Sequence, residues 1–300
     1  MKRLILLLGS FAFATVNAAE SIDERQGADS DGDVEVSNVA GEVRITGWDE
    51  DAIEITGELG NGIERLDFIR NGKHTKIKVI YQKGSHRGQY ANLFIRLPEA
   101  SELEVNTVSA DIEVEGVQGP QYLRSVSGHI TSQVFEDDFE AKTVSGNVAV
   151  VGRNARTELT LATVSGRIVV EDVSGEVEGK TVSGRIEVIA GVLSRARLKS
   201  TNGRLSLESA LEAGGRYDLS VVNGNVDVLL ADDINLDVNV ETFNGNIANC
   251  FGEQSERKHK YGPGRFLRFS RGDGDRDERR TVRIRSLNGN VDICSRNTSK

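Results

Sequence analysis

From about residue 105 to the C-terminus the apolar residues follow one recurring pattern. Counted from a repeated glycine they fall at positions −7, −5, −2, +2 and +4, as in Leu159, Leu161, Val164, Ile168 and Val170 around Gly166. Another copy lacks the first of these and reads Leu219, Val222, Val226 and Val228 around Gly224. A spacing of two within each half describes a strand with alternate side chains on one face. The parity changes between the halves, so the chain is expected to turn at Thr-Val-Ser-Gly or its Asn-Gly version, with Val164 and Val222 facing inward. Asn and Gly accept the backbone angles of tight turns, and Ser can hydrogen-bond within its own turn. The β-branched content and a glycine in every period disfavour helix.

The turns end at Gly128, Gly146, Gly166, Gly184, Gly203, Gly224, Gly245 and Gly289, and Ala110 stands in for glycine in the first copy. Successive spacings are 18, 18, 20, 18, 19, 21, 21 and 44 residues. A period near 20 predicts an all-β chain built as a parallel β-solenoid with about 20 residues per coil. Coils stacked at ~4.8 Å would place Ile112, Ile130, Val148, Ile168, Ile186 and Leu205 in one inward column. Each such side chain contributes roughly 1.5–3 kcal/mol when buried. Ser109, Ser127, Ser145, Ser165 and Ser183, followed by Asn202, Asn223, Asn244 and Asn288, would form an outer column in which amides can bond to one another.

The rest of the chain divides around these repeats. Residues 1–18 read as a secretory signal: Lys2 and Arg3, an apolar stretch from Leu4 to Ala14, and Val16-Asn17-Ala18 before the cleavage point. Residues 19–33 are polar and are read as a flexible leader. Residues 34–104 alternate as strands and hold the only tryptophan, and are expected to cap the open end of the stack. Trp48 is read there as a packing residue, with a sugar-stacking platform as the alternative. Residues 105–300 carry the repeats. Val173-Ser174-Gly175 is expected to be a return corner, and 229–235 an Asp-rich loop. The insertion 251–280 is read as a hairpin or loop over the last coil, or as a basic arm for an anionic partner.

Composition narrows the partners. The net charge is −9, and loss of Lys2 and Arg3 with the signal takes it to −11. An acidic chain argues against nucleic acid as a partner and does not favour an anionic membrane surface. No apolar stretch reaches the ~20 residues of a membrane-spanning helix. The expected location is the periplasm or the outside of the cell.

Candidate chemistry is sparse. His74, His86, His129 and His259 show no ligand spacing, and two cysteines are too few for a structural zinc site, so neither metal nor cofactor is expected. Asp273-Gly274-Asp275 starts like a calcium loop, but Glu278 stands at loop position 6 and Ile284 at position 12. Arg271-Gly272-Asp273 matches an attachment tripeptide at near-chance length. Arg167, Arg185 and Arg204 follow the glycine in three successive coils and would stack ~5 Å apart. Their repulsion requires acidic neighbours such as Glu187, or an anionic ligand such as an acidic polysaccharide. Cys250 and Cys294 each lie five residues beyond their glycine, so neighbouring coils would bring them into disulfide range, unless residues 266–269 form a coil between them.

The signal segment, Gly47-Trp48-Asp49, Leu93 to Pro98 and the Val-Ser-Gly and Asn-Gly turns resemble a bacterial adhesin-like family of unknown function. Tyr261-Gly262-Pro263-Gly264 and Ser286-Leu287-Asn288-Gly289-Asn290 resemble the C-terminal end of its proteobacterial members. The resemblance implies an envelope β-solenoid, sometimes linked with envelope-stress systems, and brings no catalytic residues with it. The expected function is therefore a non-enzymatic exported scaffold or binding module. The alternatives are a polysaccharide-binding or polysaccharide-degrading β-helix, by fold analogy alone, and an envelope-stress signalling partner.

Overall fold

In a computed structural model, residues 19–84, 89–153, 156–232, 235–258 and 262–296 are described. Residues 1–18, read above as a signal, and His86 and His259 lie outside them. The chain opens with β1 (Glu20–Gly27), β2 (Asp33–Asn38), β3 (Gly41–Trp48), β4 (Ala52–Leu59), β5 (Ile63–Asn71), β6 (His74–Tyr81) and β7 (Ala91–Pro98). Short strands follow: β8 (Glu102–Thr107), β9 (Asp111–Glu115), β10 (Gln121–Arg124), β11 (Ile130–Gln133), β12 (Phe139–Thr143), β13 (Val148–Val151), β14 (Arg156–Ser165) and β15 (Ile168–Glu171). Next come β16 (Ser174–Ser183), the long β17 (Ile186–Asn202) and β18 (Leu205–Asn223), then β19 (Val226–Leu230), β20 (Leu236–Asn244) and β21 (Ile247–Asn249). β22 (Glu256–Arg257), β23 (Arg265–Arg271), a short 3-10 turn, β24 (Arg280–Asn288) and β25 (Val291–Ser295) complete the chain. No α-helix occurs among the described residues, so none is long and apolar enough to cross a membrane.

The strands form an open sheet in two ladders, joined because β17 and β18 each run from one into the other. Ladder A runs β5–β6–β2–β8–β10–β12–β14–β16, continues through the second halves of β17 and β18, and ends β24–β20–β23–β22. Ladder B runs β1–β4–β7–β3–β9–β11–β13–β15, continues through the first halves of β17 and β18, and ends β19–β25–β21. One strand from each ladder makes a rung, and successive rungs pair in parallel. Ile112, Ile130, Val148, Ile168, Ile186 and Leu205 are register partners and are buried.

Glycine is required at the corners because the rungs touch there. A methyl group added at Gly184 would lie 1.8 Å from the Gly166 carbonyl oxygen, and one at Gly166 would lie 2.0 Å from that of Gly146. The same backbone contact recurs up the stack. The adjacent inward position, −3, is a hydroxyl in every repeat except that of Gly224, where Val221 stands. Thr143 Oγ1 accepts from the Gly146 N–H at 3.1 Å and donates to the Gly128 carbonyl at 3.3 Å. Thr163 Oγ1 donates likewise to Gly146 at 3.2 Å. These bonds satisfy polar groups that would otherwise be costly inside.

Four expectations need correction. Val164 and Val222 face solvent, because strict alternation continues from Leu159 and Leu161 to the buried Thr163; the turn begins one residue later than hydrophobicity suggests. Residues 20–27 are not a flexible leader but strand β1, paired antiparallel with β4 and anchored by buried Ile22 and by Gln26 Nε2 donating to the Phe68 carbonyl at 3.0 Å. Parallel stacking starts before residue 105: β2 pairs with β8, and β3 with β9. At the C-terminal end the rungs are stacked out of chain order. The rung of β24 and β25 lies between that of β18 and β19 and that of β20 and β21. Corner contacts agree, since Gly289 meets the Gly224 carbonyl and Gly245 meets that of Gly289.

The last two rungs are adjacent, as they would be in either order, and this brings the cysteines together. β23 packs antiparallel on the outer side of β20, not between the cysteine-bearing rungs, and buries Leu267 and Phe269. Cys250 and Cys294 form a disulfide with α-carbons 4.9 Å apart, spanning 44 residues.

Two outcomes test this fold. Ile168→Asp places a carboxylate without a partner in the inward column and should cost about 4 kcal/mol or more, read as a large fall in Tm. An unchanged Tm would contradict the stacking. Cys250→Ser should lower the free energy of unfolding in urea by roughly 2–4 kcal/mol, because the loop is no longer closed in the unfolded chain.

Candidate binding faces

Fixed register turns every outward position into a column. Immediately before the corner glycine, the asparagine amides form a ladder. Asn223 Nδ2 donates to Asn202 Oδ1 at 2.8 Å, Asn288 Nδ2 to Asn223 Oδ1 at 2.7 Å, and Asn244 Nδ2 to Asn288 Oδ1 at 2.9 Å. The order is that of the inserted rung. Beside it runs an exposed apolar ridge, Val39, Val108, Val126, Val144, Val164, Val182, Val222, Leu287 and Phe243, exposed by between 40% (Val222) and 49% (Phe243).

The position after the glycine is also a ladder, and it changes character along the stack. Side-chain acceptors there bond the backbone of the next rung. Asp111 Oδ1 accepts from the His129 N–H at 2.7 Å, His129 Nδ1 from that of Asn147 at 3.0 Å, and Asn147 Oδ1 from that of Arg167 at 2.9 Å. Further up, Asn225 Oδ1 accepts from the Asn290 N–H at 3.0 Å, and Asn290 Oδ1 from that of Asn246 at 2.9 Å. Between these runs stand Arg167, Arg185 and Arg204, which have no acceptor to offer. All three are exposed and follow one another in register. Arg204 Nε lies 3.4 Å from Asp227 Oδ2. Arg167 and Arg185 make no ion pair among the described residues, and Glu187 does not neutralise Arg185.

The outer face of ladder A is ionic. Four residues before the glycine stand Arg124, Lys142, Lys180, Lys199 and Arg285, a periodicity open to counting in the sequence but hidden there by Ala162, Ser220 and Glu241 at the same position. Glu104, Glu140 and Glu178, in the column two residues earlier, are the acidic partners of Arg124, Lys142 and Lys180. Arg124 bridges Glu104 at 3.2 Å and Glu140 at 2.8 Å, and Glu178 pairs with Lys180 and, at 3.6 Å, with Arg197. The hydrogen bond from Lys180 holds the Glu178 carboxyl below its usual range, against the opposing effect of partial burial.

Above Lys180 the pattern changes. Asp218 and Ser220 are short, whereas the rungs on either side present Arg197 and Lys199, and Arg283 and Arg285. The result is a notch of about 320 Å³ lined by these six residues and Leu219. On ladder B the same rungs are acidic: Glu208, Asp227 and Asp292 line a cavity of about 420 Å³ with Leu229 and Cys294. Asp227 is paired with Arg204, and Glu208 with Arg296.

Trp48 is half-buried. Its Nε1 donates to the Ala52 carbonyl at 2.8 Å, and the guanidinium carbons of Arg25 and Arg96 lie 5.2 and 5.7 Å from the ring centroid. These contacts use the ring within the protein. Among the described residues, no three His, Cys, Asp or Glu side chains gather in a metal-ligating group.

Comparison with curated proteins returns no match. Among solved structures, a crystal structure at 1.95 Å of a candidate cell adhesion protein from Clostridium sporogenes ATCC 15579 aligns over 92% of this chain and all of its own, with 12% identity and a TM-score of 0.21. So low a score does not equate the two folds. The Toastrack DUF4097 family profile matches residues 32–294, from the start of β2 to Cys294. The matched span includes nearly all the stacked rungs, and on that ground the chain belongs to the Toastrack DUF4097 family.

Proposed function

We propose that this chain is an exported, non-enzymatic protein of the cell envelope that acts as a binding scaffold for an acidic polysaccharide. In this reading the rungs are the coils of a parallel β-solenoid with about 20 residues per coil, closed at its N-terminal end by β1 and β4 to β7. Register partners 18–21 residues apart support the coil size, as in Ile130↔Val148 and Leu205↔Val226. The antiparallel pairing of β4 with β7 and of β5 with β6 supports the closed end. Export is supported by the Lys2-Arg3 start with its apolar stretch, and by the disulfide, which persists in oxidising compartments.

The observation that carries the ligand is the arginine column. Everywhere else described above, the position after the glycine accepts a hydrogen bond from the next rung. At Arg167, Arg185 and Arg204 the acceptor is replaced by like charges stacked ~5 Å apart; Asp227 offsets only Arg204, and an external polyanion would relieve the remaining repulsion. A linear acidic glycan has charges repeating along its length and would follow such a column.

A polysaccharide-degrading reading would rest on Glu208, Asp227 and Asp292 in the ladder B cavity. Two of these are already engaged in ion pairs, Asp227 with Arg204 and Glu208 with Arg296, rather than converging on an open groove. The non-enzymatic reading is therefore preferred, and release of reducing ends from acidic glycans by the purified protein would reverse that choice.

Changing Arg167, Arg185 and Arg204 together to Ser should weaken salt-sensitive binding to acidic glycans by roughly tenfold or more while leaving Tm nearly unchanged, since the side chains are exposed. Equal retention of both proteins on an acidic-glycan column would remove the ligand assignment.

A further inference from the structure

We infer that the ladder A notch is a separate site, which binds a phosphoryl group carried on a sugar- or glycerol-sized unit through Lys199, Arg285 and Ser220. The site exists only because the last rung is inserted out of chain order. Stacked in sequence order, β20 would lie on β18 and present Asn239 and Glu241 to Ser220. The inserted β24 presents Arg283 and Arg285 instead.

The charges around the notch are unequally committed. Asp218 is occupied by Arg216 at 2.7 Å and by Arg283 at 3.8 Å, and Arg197 leans 3.6 Å to Glu178. Lys199 and Arg285 make no ion pair among the described residues. Arg285 remains unpaired even though Glu241 is its register partner on the other side. Ser220 is the register partner of both cations, so the two flank its hydroxyl on one column, with α-carbons about 10 Å apart at two strand spacings.

This arrangement specifies a ligand chemistry. Two uncompensated cations match the −1.5 to −2 charge of a phosphate monoester at about pH 7. A tetrahedral oxyanion can present one oxygen to the lysine, two to the arginine fork and accept a bond from the hydroxyl, whereas a planar carboxylate has only two oxygens. The volume of about 320 Å³ sits at the low end of ligand pockets, which start at roughly 300 Å³, and leaves room for a small carrier beside the phosphoryl group. A second copy of this chain is the weaker occupant, because two of the three carboxylates on its acidic face are already paired with Arg204 and Arg296.

Titration calorimetry at low salt with inorganic phosphate, a hexose 6-phosphate and phosphatidic acid vesicles, whose headgroup is also a phosphate monoester, tests the site and separates the sources of the group. Binding of either phosphate ester should weaken by about tenfold or more in Lys199→Ala/Arg285→Ala. It should be unchanged in Arg124→Ala, whose cation is paired on both sides. Hexose phosphate binding assigns a soluble or glycan-borne ester, and vesicle binding assigns a lipid headgroup. Binding should also survive the Arg167, Arg185 and Arg204 triple change, which separates this site from the proposed glycan column. Ser220→Glu supplies a ligand-free readout. A carboxylate placed between Lys199 and Arg285 should raise Tm and abolish phosphate binding, whereas a fall in Tm would show that the cations are not uncompensated. The inference is overturned if no phosphate probe binds, if the double variant binds equally well, or if salt-reversible self-association is what the double variant loses in sedimentation velocity.

Discussion

The corner contact between rungs constrains everything else. At each turn the α-carbon of one glycine lies so close to the carbonyl of the glycine beneath that a methyl group there would fall 1.6 Å from it at Gly203 and 2.0 Å at Gly146. Backbones at that separation leave no slack for slippage, so register is fixed at the corner and carried outward along both strands. The hydroxyl three residues before the glycine then meets the same corner from inside, as Thr143 and Thr163 do. A slip of one residue would turn the apolar column outward and the charged face inward. The thin core tolerates this narrow design because each Ile, Val or Leu packs on its counterpart in the next rung.

Much of this was legible in the chain. The inward column from Ile112 to Leu205 follows from period-two spacing and a recurring glycine, and the cysteine pair from equal offsets in equivalent turns. The exposed ridge was not legible, because Val164 and its counterparts are apolar without being buried. Their neighbour Thr163 is polar and inside, held by bonds that a hydropathy pattern does not record. Strand β1 escaped notice for the opposite reason. An edge strand can be stabilised mainly through its backbone, with Ile22 as its one buried side chain. The order of the last three rungs was least visible, because near-identical Asn-Gly turns stack equally well in either sequence. The disulfide offset pointed to adjacency of the Gly245 and Gly289 rungs without saying which lies nearer Gly224.

That order has an electrostatic consequence. The chain is acidic overall, yet the rungs of β17, β18 and β24 gather Arg197, Lys199, Arg283 and Arg285 on ladder A, while ladder B of the same rungs carries Glu208, Asp227 and Asp292. Along most of the ladder A face, acids and bases alternate between neighbouring columns and neutralise one another, as Arg124 does between Glu104 and Glu140. Where two short residues meet an inserted basic strand, neutralisation fails locally. Cations stacked in register without an ion pair among the described residues therefore stand at Arg167 and Arg185 on the corner and at Lys199 and Arg285 on the notch.

Cross-linking tests the inserted rung most directly. Ser220 and Arg285 are register partners on adjacent strands, so Ser220→Cys/Arg285→Cys in a Cys250→Ser/Cys294→Ser background places α-carbons ~5 Å apart, within disulfide range. Glu241 lies one strand further, about 10 Å from Ser220 at two strand spacings, beyond the reach of a bridge. Non-reducing peptide mapping should find the 220–285 bridge in high yield and no bridge in Ser220→Cys/Glu241→Cys. A bridge between 220 and 241, with free thiols at 220 and 285, would contradict the order β18–β24–β20.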